Sequence, residues 1–296
     1  MITKLRLNGS KIHGTDKDQF MFISDKYPKL KVSLVQAPHE PERLMAYAYQ
    51  KCIEDRGITN PSEITMVEAK EIAKWVMEGG HTPALETIDM MFDISGMSKV
   101  VSHQIVRHRI GVSIGQRTQR ANSESYLGRI SQEEHYVTPP SVIAKGKLCT
   151  AEYKRFMEQV EHIYNRLTKY YGIHQDEARY MIPQGSETSM TFNVIFKALM
   201  GVCNTRLCEL MQGELVEIAK MMAEAVKEYN PLMGELLKPI CMMTGKCNRN
   251  ENNVTEDYPK GACRYTKEDI IPIRESKSKA YDLTQYSRTA SEIGEK

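Results

Sequence analysis

The sequence predicts an α+β fold, a single helix-rich domain built on an antiparallel or mixed sheet. Three observations predict it. The runs LKVSLVQA (30–37), TIDMMFDI (87–94) and ETSMTFNVI (187–195) alternate or are rich in β-branched residues, as strands are. Longer stretches repeat apolar side chains at three- and four-residue spacing, as amphipathic helices do. No internal repeat or low-complexity block interrupts the 296 residues, a length that suits one large domain or two small ones.

Taken in order, residues 1–29 read as a short N-terminal extension with a strand. The main domain is expected over 30–239, and 240–296 as a polar C-terminal tail with few large apolar residues. After the first strand, PERLMAYAYQKC spaces Leu44, Ala48 and Cys52 as a helix. A second helix is expected from NPSEIT. Asn60 caps it, Pro61 suits its first turn, and Glu63 stands in the reciprocal capping position. Ile64, Val67, Ile72, Trp75 and Val76 form its apolar face, and Gly79-Gly80 ends it. In the next strand Ile88, Met90, Phe92 and Ile94 share a face. MSKVVSHQIVRHR (97–109) reads as a helix that runs straight into the following segment. A long helix over 148–171 carries the stripe Tyr153, Phe156, Val160, Ile163, Leu167 and Tyr170. DEARYMIP is a short helix stopped by Pro183. Beyond the strand at 187–195, one helix is expected to about 208 and another to about 229. The latter keeps Leu215, Ile218, Met222, Val226 and Tyr229 in register.

Hydrophobic residues make up 41% and charged residues 26%, and the net charge is only +2. The chain as a whole is therefore no polyanion binder, and any attraction for phosphate must be local. The seven cysteines are odd in number and include no C-x-x-C, which predicts reduced thiols in a cytoplasmic protein. Cys241, Cys247 and Cys263 lack the tight pairing of zinc ligands, so no metal is expected. The N-terminus lacks the apolar run of a signal peptide, and no stretch approaches the roughly 20 apolar residues that cross a membrane.

The densest local charge is RHRIGVSIGQRTQR (107–120), with Arg107, Arg109, Arg117 and Arg120 and no acid. It reads either as a solvated basic loop, touching nucleic acid, or as a pocket for phosphorylated ligands. Gly111, Ser113 and Gly115 favour the pocket, because such a loop exposes backbone N–H groups beside guanidinium forks. Few aromatic residues accompany the charge, which argues against an extended nucleic-acid surface. Upstream, His103, Gln104 and Arg107 share one helix face. Arg206 falls on the stripe made by Ile195, Leu199 and Val202, where it either snorkels, pairs with Glu209 or faces a ligand. Arg179 has Asp176 and Glu177 as nearby partners, and His81 either closes a turn or lines a pocket. No catalytic triad, metalloprotease motif or cysteine-nucleophile signature is present.

The order of these motifs resembles that of the flavin-dependent thymidylate synthases (thymidylate synthase complementing proteins). EPERLMAYAYQKCI is similar to the family's DPERLIAYAARVCY, and GHTPALETIDMMFDI to its GH…P-E-H and strand. HQIVRHR parallels RQ-x-x-RHR, and the family's R-H-R, seven residues, serine and x-Arg signature falls on 107–120. ARYMIP parallels AR-x-x-LP, and IFKALMGVCNTRLCELMQGELVEI parallels the long helical region at the family's end. The likeness covers roughly residues 30 to 230. R-H-R alone is weakly specific, whereas the ordered set is specific.

The resemblance implies the family's α+β fold and a reaction: reductive methylation of dUMP to dTMP. Methylenetetrahydrofolate gives the carbon, FAD carries the redox chemistry and NADPH reduces it. It implies that an arginine rather than a cysteine activates the uracil, by helping N3 ionise. Arg206 falls on that arginine. Gln104, Arg107, Gln116, Arg117, Thr118, Gln119, Arg120 and Arg179 fall on dUMP-binding positions. His81, Arg107, His108, Arg109, Gln116 and Lys197 fall on FAD-binding positions. A homotetramer, with sites built from several subunits, is also implied.

The chain departs from the family in several places. The signature carries one extra residue, and Thr118 replaces its serine while keeping a hydroxyl. Ile195-Phe196-Lys197 replaces Asn-Ala-Arg, so Lys197 keeps the charge without the planar fork. Gly201 and Leu210 replace an asparagine and a histidine. The nucleotide half is thus better kept than the flavin half. Two alternatives follow: a nucleotide- or RNA-binding paralogue without flavin chemistry, and a flavoenzyme acting on another pyrimidine nucleotide.

Overall fold

The computed structural model describes residues 1–53, 56–78, 81–120 and 126–244. Its frame is one six-stranded antiparallel sheet: β1 (Ile2–Lys11), β2 (Asp18–Ser24), β3 (Lys31–Gln36), β4 (Asp89–Ser98), β5 (Val112–Gln116) and β6 (Glu187–Ile195). The strand order is β1-β2-β3-β4-β6-β5. Alternation decides which face is buried. Phe22, Val32, Leu34, Met90, Phe92, Ile94, Met190, Phe192 and Val194 all point into one core. The helices α1 (Pro41–Ile53), α2 (Met66–Met77), α7 (Phe196–Arg206) and α8 (Gly213–Tyr229) supply the other half of that core, through Met45, Tyr49, Ile72, Val76, Leu199, Ile218, Met222 and Val226. Between them in sequence come α3 (Lys99–Ile105), α4 (Pro140–Ala144), α5 (Lys147–Asn165) and α6 (Gln175–Ala178). The short α9 (Pro231–Gly234) and α10 (Ile240–Thr244) follow.

The three expected strands, α1, α7 and α8 lie close to where the periodicity puts them. Five expectations are corrected. Residues 1–29 form a hairpin, and β2 pairs with β3 (Phe22 opposite Val32), so the sheet crosses residue 29 without a break. The Asn60/Glu63 capping box does form, but it closes only a 3₁₀ turn (Pro61–Glu63). The chain is extended at Ile64, and α2 starts afresh with Thr65 as its cap. The break shifts the helical register, so Val67 is 70% exposed while Ile64, Ile72 and Val76 are buried.

The expected helix over 97–109 shrinks to α3, because Met97 and Ser98 still belong to β4 and pair with Thr188 and Glu187. The presumed Gly-Ser-Gly loop is the edge strand β5, whose Val112, Ile114 and Gln116 lie opposite Val194, Phe192 and Met190. Finally, α5 stops at Asn165 and passes into a π turn (Arg166–Tyr170). Its buried residues are Met157, Val160 and Tyr164, while Phe156, Ile163 and Tyr170 are exposed. That face packs on Tyr126, Leu127, Ile130 and Tyr136 in a second, smaller core. Gly79-Gly80, Cys247, Cys263 and the tail beyond residue 244 lie outside the described residues.

One glycine shapes the site. A register shift in β4 falls between Ile94 and Met97, around Gly96 at φ +75°. A Cβ at Gly96 would lie 1.9 Å from the Lys29 carbonyl oxygen, so no side chain fits there. Its N–H donates to Glu187 Oε1 (3.1 Å), which ties the bulge to the start of β6.

Candidate active site

Two basic patches sit at opposite ends of β5. The first arises where the chain leaves α3. The His108 N–H donates to the Ile105 carbonyl (3.0 Å), closing the turn, and Gly111 then packs against the β6–α7 junction. The Gly111 carbonyl accepts from Ile195 N (2.9 Å), and a Cβ at Gly111 would strike the Ile195 side chain at 2.5 Å. This contact hangs Arg107, His108 and Arg109 over the first turns of α7, leaving a groove of about 740 Å³. Ile110, Val112, Ile195, Ala198 and Val202 give it apolar walls. Among the described residues its only acid is Glu86, which lies 2.5 Å from Lys197 Nζ. Arg107 and Arg109 have no carboxylate partner among the described residues.

Arg206, the last residue of α7, reaches this patch through His108. Its Nε donates to His108 Nε2 at 3.1 Å. A nitrogen that accepts cannot carry a proton, so His108 is neutral here with its hydrogen on Nδ1. Burial, and then the nearby Arg206 charge, hold the imidazole pKa below its ordinary 6.5. The sequence left Arg206 between snorkelling, pairing and facing a ligand. The structure puts it half-buried beside a groove-lining histidine.

The second patch follows β5. Arg117 donates to the Glu187 carboxylate and, at 3.1 Å, to the Glu187 carbonyl. Its guanidinium also stacks 4.6 Å from the Tyr126 ring centroid. Arg120 Nε is 3.2 Å from Asp176, which also lies 3.5 Å from Arg179. Thr118 Oγ1 accepts from Arg120 N (3.1 Å), and Gln119 Nε2 donates to Ser186 Oγ (3.5 Å). Gln116 is turned inward, donating to Ser102 Oγ (3.0 Å) and to Thr188 Oγ1 (3.4 Å).

The structure therefore brings together Arg107, His108, Arg109, Lys197 and Arg206 in one place and residues 116–120 with Arg179 in another. The strand between them is five residues long, which separates the patches by about 17 Å at the usual rise. Two expected residues join neither patch. Gln104 Nε2 donates to Gln212 Oε1 (2.7 Å), and His81 packs edge-on to Tyr49, 5.6 Å between centroids. The His81 Nε2 atom is buried without a hydrogen-bond partner.

Sequence reasoning missed Lys99, Tyr126 and Glu187. A signal for Lys99 was present: a lysine at the first position of the helix in SKVVSHQ, where a cation is least favoured. Among the described residues there is no cluster of metal-ligating side chains, and no helix is long and apolar enough to cross a membrane.

Residues 33–232 match the family described as thymidylate synthase complementing protein. A flavin-dependent thymidylate synthase of Pyrococcus abyssi is 30% identical over 251 residues, 83% of this chain and 98% of that one. One from Thermococcus onnurineus is 32% identical over 193 residues, 64% of this chain and 74% of its own. Among solved structures, thymidylate synthase X from Helicobacter pylori, crystallised with FAD and dUMP, superposes with a TM-score of 0.54 at 18% identity. That match covers 70% of this chain and 98% of the other, and it bears on the fold. The matched segment runs from β3 through α8 and carries both basic patches, and the chain belongs to the thymidylate synthase complementing protein family, that of the flavin-dependent thymidylate synthases.

Proposed function

We infer that this chain converts dUMP to dTMP by reductive methylation, with methylenetetrahydrofolate as carbon donor, FAD as redox carrier and NADPH as its reductant. The observation that carries the reading is the net-cationic groove, with Arg107, Arg109 and Lys197 against Glu86 among the described residues, that ends at the Arg206–His108 pair. The groove suits a flavin dinucleotide. It offers apolar walls for a ring system and guanidinium groups without acid partners for a diphosphate. Gly201, on its floor, leaves open space, since a Cβ there would meet nothing within 4 Å. Arg107, His108, Arg109 and Lys197 would hold the cofactor, which when bound supplies the hydride of the reaction.

The remaining chemistry belongs to the chain. Arg206 presents positive charge where the uracil becomes anionic as N3 ionises, and charge fixed in advance stabilises such a step most. Neutral His108 holds Arg206 Nε in place. Thr118, Gln119, Arg120 and Arg179 fit the nucleotide phosphate, while Gln116 and Arg117 are engaged by Ser102, Thr188 and Glu187. About 17 Å of strand lies between the two patches on one chain, a spacing that suits a site whose two halves come from different subunits. A homotetramer in the cytoplasm accommodates this, and sedimentation giving a monomeric mass at assay concentration would contradict it.

The direct test is anaerobic incubation of the full chain with FAD, NADPH, methylenetetrahydrofolate and dUMP, products read by mass spectrometry. The expected product is dTMP. Flavin reduction without dTMP would point to another pyrimidine acceptor, and nucleotide binding without flavin uptake would favour the paralogue lacking flavin chemistry.

The Arg206–His108 bond also sets a pH dependence. Protonating His108 removes the lone pair that accepts from Arg206 and puts two cations in contact. The lowered pKa keeps His108 neutral at pH 7, so turnover is expected to fall only on the acid side, with a midpoint below 6.5. His108→Gln, which keeps an acceptor that cannot titrate, should flatten this limb. An unchanged acid limb in that variant would assign it to another group.

A further inference from the structure

We propose that Lys99 is a phosphate-binding residue of this chain, taking the 5′-phosphate of a pyrimidine nucleoside monophosphate together with Arg120 and Arg179. The ligand class rests on the proposed function, but the site rests on the structure. Lys99 opens α3, directly after the Gly96 bulge. Its N–H donates to the Ser186 carbonyl (3.0 Å) and that of Val100 to the Gln184 carbonyl (3.1 Å), which fixes the residue against the turn before β6. Ser186 Oγ accepts from Gln119, and the next residue, Glu187, anchors Arg117.

The Lys99 ammonium has no hydrogen bond or ion pair among the described residues. Half-burial, and then the charges of Arg117 and Arg179, push its pKa below the ordinary lysine value, against a smaller opposing effect of Glu187. Of these groups Glu187 is the only acid, and its carboxylate is already engaged by Arg117 and by Gly96 N–H. Asp176 lies between Arg120 and Arg179, with His174 at its outer side. Among the described residues, Lys99, Arg117, Arg120 and Arg179 against Glu187 and Asp176 leave an excess of two positive charges. That excess matches a phosphate monoester dianion. A partly desolvated ammonium without a partner among the described residues, held beside other cations, is unfavourable in the free protein and becomes favourable when an anion arrives.

The test uses the full chain and compares dUMP with deoxyuridine, which lacks the phosphate. Lys99→Met is expected to weaken dUMP binding by about tenfold or more and to leave deoxyuridine binding unchanged. Lys99→Arg should restore most of the loss. A second measurement is independent of nucleotide identity. Lysines are reductively dimethylated with ¹³C, and the Lys99 resonance, assigned by its absence in Lys99→Arg, is titrated with pH. Its midpoint should rise when dUMP or inorganic phosphate is added. Equal dUMP affinity in Lys99→Met, within twofold, or a Lys99 resonance that ignores both ligands, overturns the proposal. A Lys99 resonance that responds to phosphate in a protein that binds no pyrimidine nucleotide would keep the site and overturn the nucleotide reading instead.

Discussion

Arg206→Ala is expected to lower turnover about a hundred- to a thousandfold, the usual effect of removing a donor aimed at developing negative charge. Dissociation constants for both dUMP and FAD should change much less. Substrate uracil is neutral and gains charge only as N3 ionises, so the guanidinium interacts more strongly with the later species than with the bound nucleotide. The packing cost of the change is modest, since Arg206 is half-buried at the end of α7 and leaves the buried Leu199 and Val202 in place. Arg206→Lys keeps the charge but presents no Nε to His108, so it should recover only part of the rate. Steady-state kinetics with mass-spectrometric detection of dTMP separates the cases. Turnover within threefold of the parent would remove Arg206 from the chemistry. Equal losses in turnover and nucleotide affinity would make it a binding residue.

Most of the fold was legible because alternation and helical spacing are local signals. β4 and β6 bury alternate residues over most of their length, and the sequence carries that alternation openly. What was hidden depends on tertiary context. Gly111, Ser113 and Gly115 have the composition of a loop, yet β6 supplies a partner edge that makes their segment β5. The capping box at Asn60 is correct chemistry for a turn that then stops, because Ile64 is drawn into the core in extended form. In α5 and the π turn after it, half of the expected stripe, Tyr153, Val160 and Leu167, meets the second core, while Met157 and Tyr164 take the places expected of Phe156 and Ile163.

The site shows the same division. Basic residue types and their order were visible in the sequence, but their geometry was not. One run, 107–120, feeds two patches because a strand lies inside it. Arg117, expected to contact ligand, is held by Glu187, whose pairing spans seventy positions of sequence. Lys99 passed unnoticed because its cationic neighbours come from two other segments, 117–120 and the turn at Arg179.

Glu187→Ala is expected to destabilise the chain by about 3 kcal/mol, at the lower end for breaking a buried ion pair because Arg117 stays about one-third exposed. The melting temperature should fall by about 5–10 °C. Three interactions end together: the Arg117 ion pair, the bond from Gly96 N–H, and the counter-charge nearest Lys99. Of these the Gly96 bond matters most for shape, because the bulge it holds aims the end of β4 and the start of α3. Glu187→Gln keeps an acceptor for Gly96 and removes only charge, so it should cost clearly less. Nucleotide affinity is expected to move the other way in Glu187→Gln. Removing an acid from a cluster already rich in cations raises its attraction for phosphate, so dUMP should bind as tightly as in the parent or more tightly. Thermal unfolding and calorimetric titration of the two variants read the two effects separately. Unchanged stability with weakened dUMP binding would mean that Glu187 and Arg117 act on ligand directly, and that the anchoring role assigned to their pair is wrong.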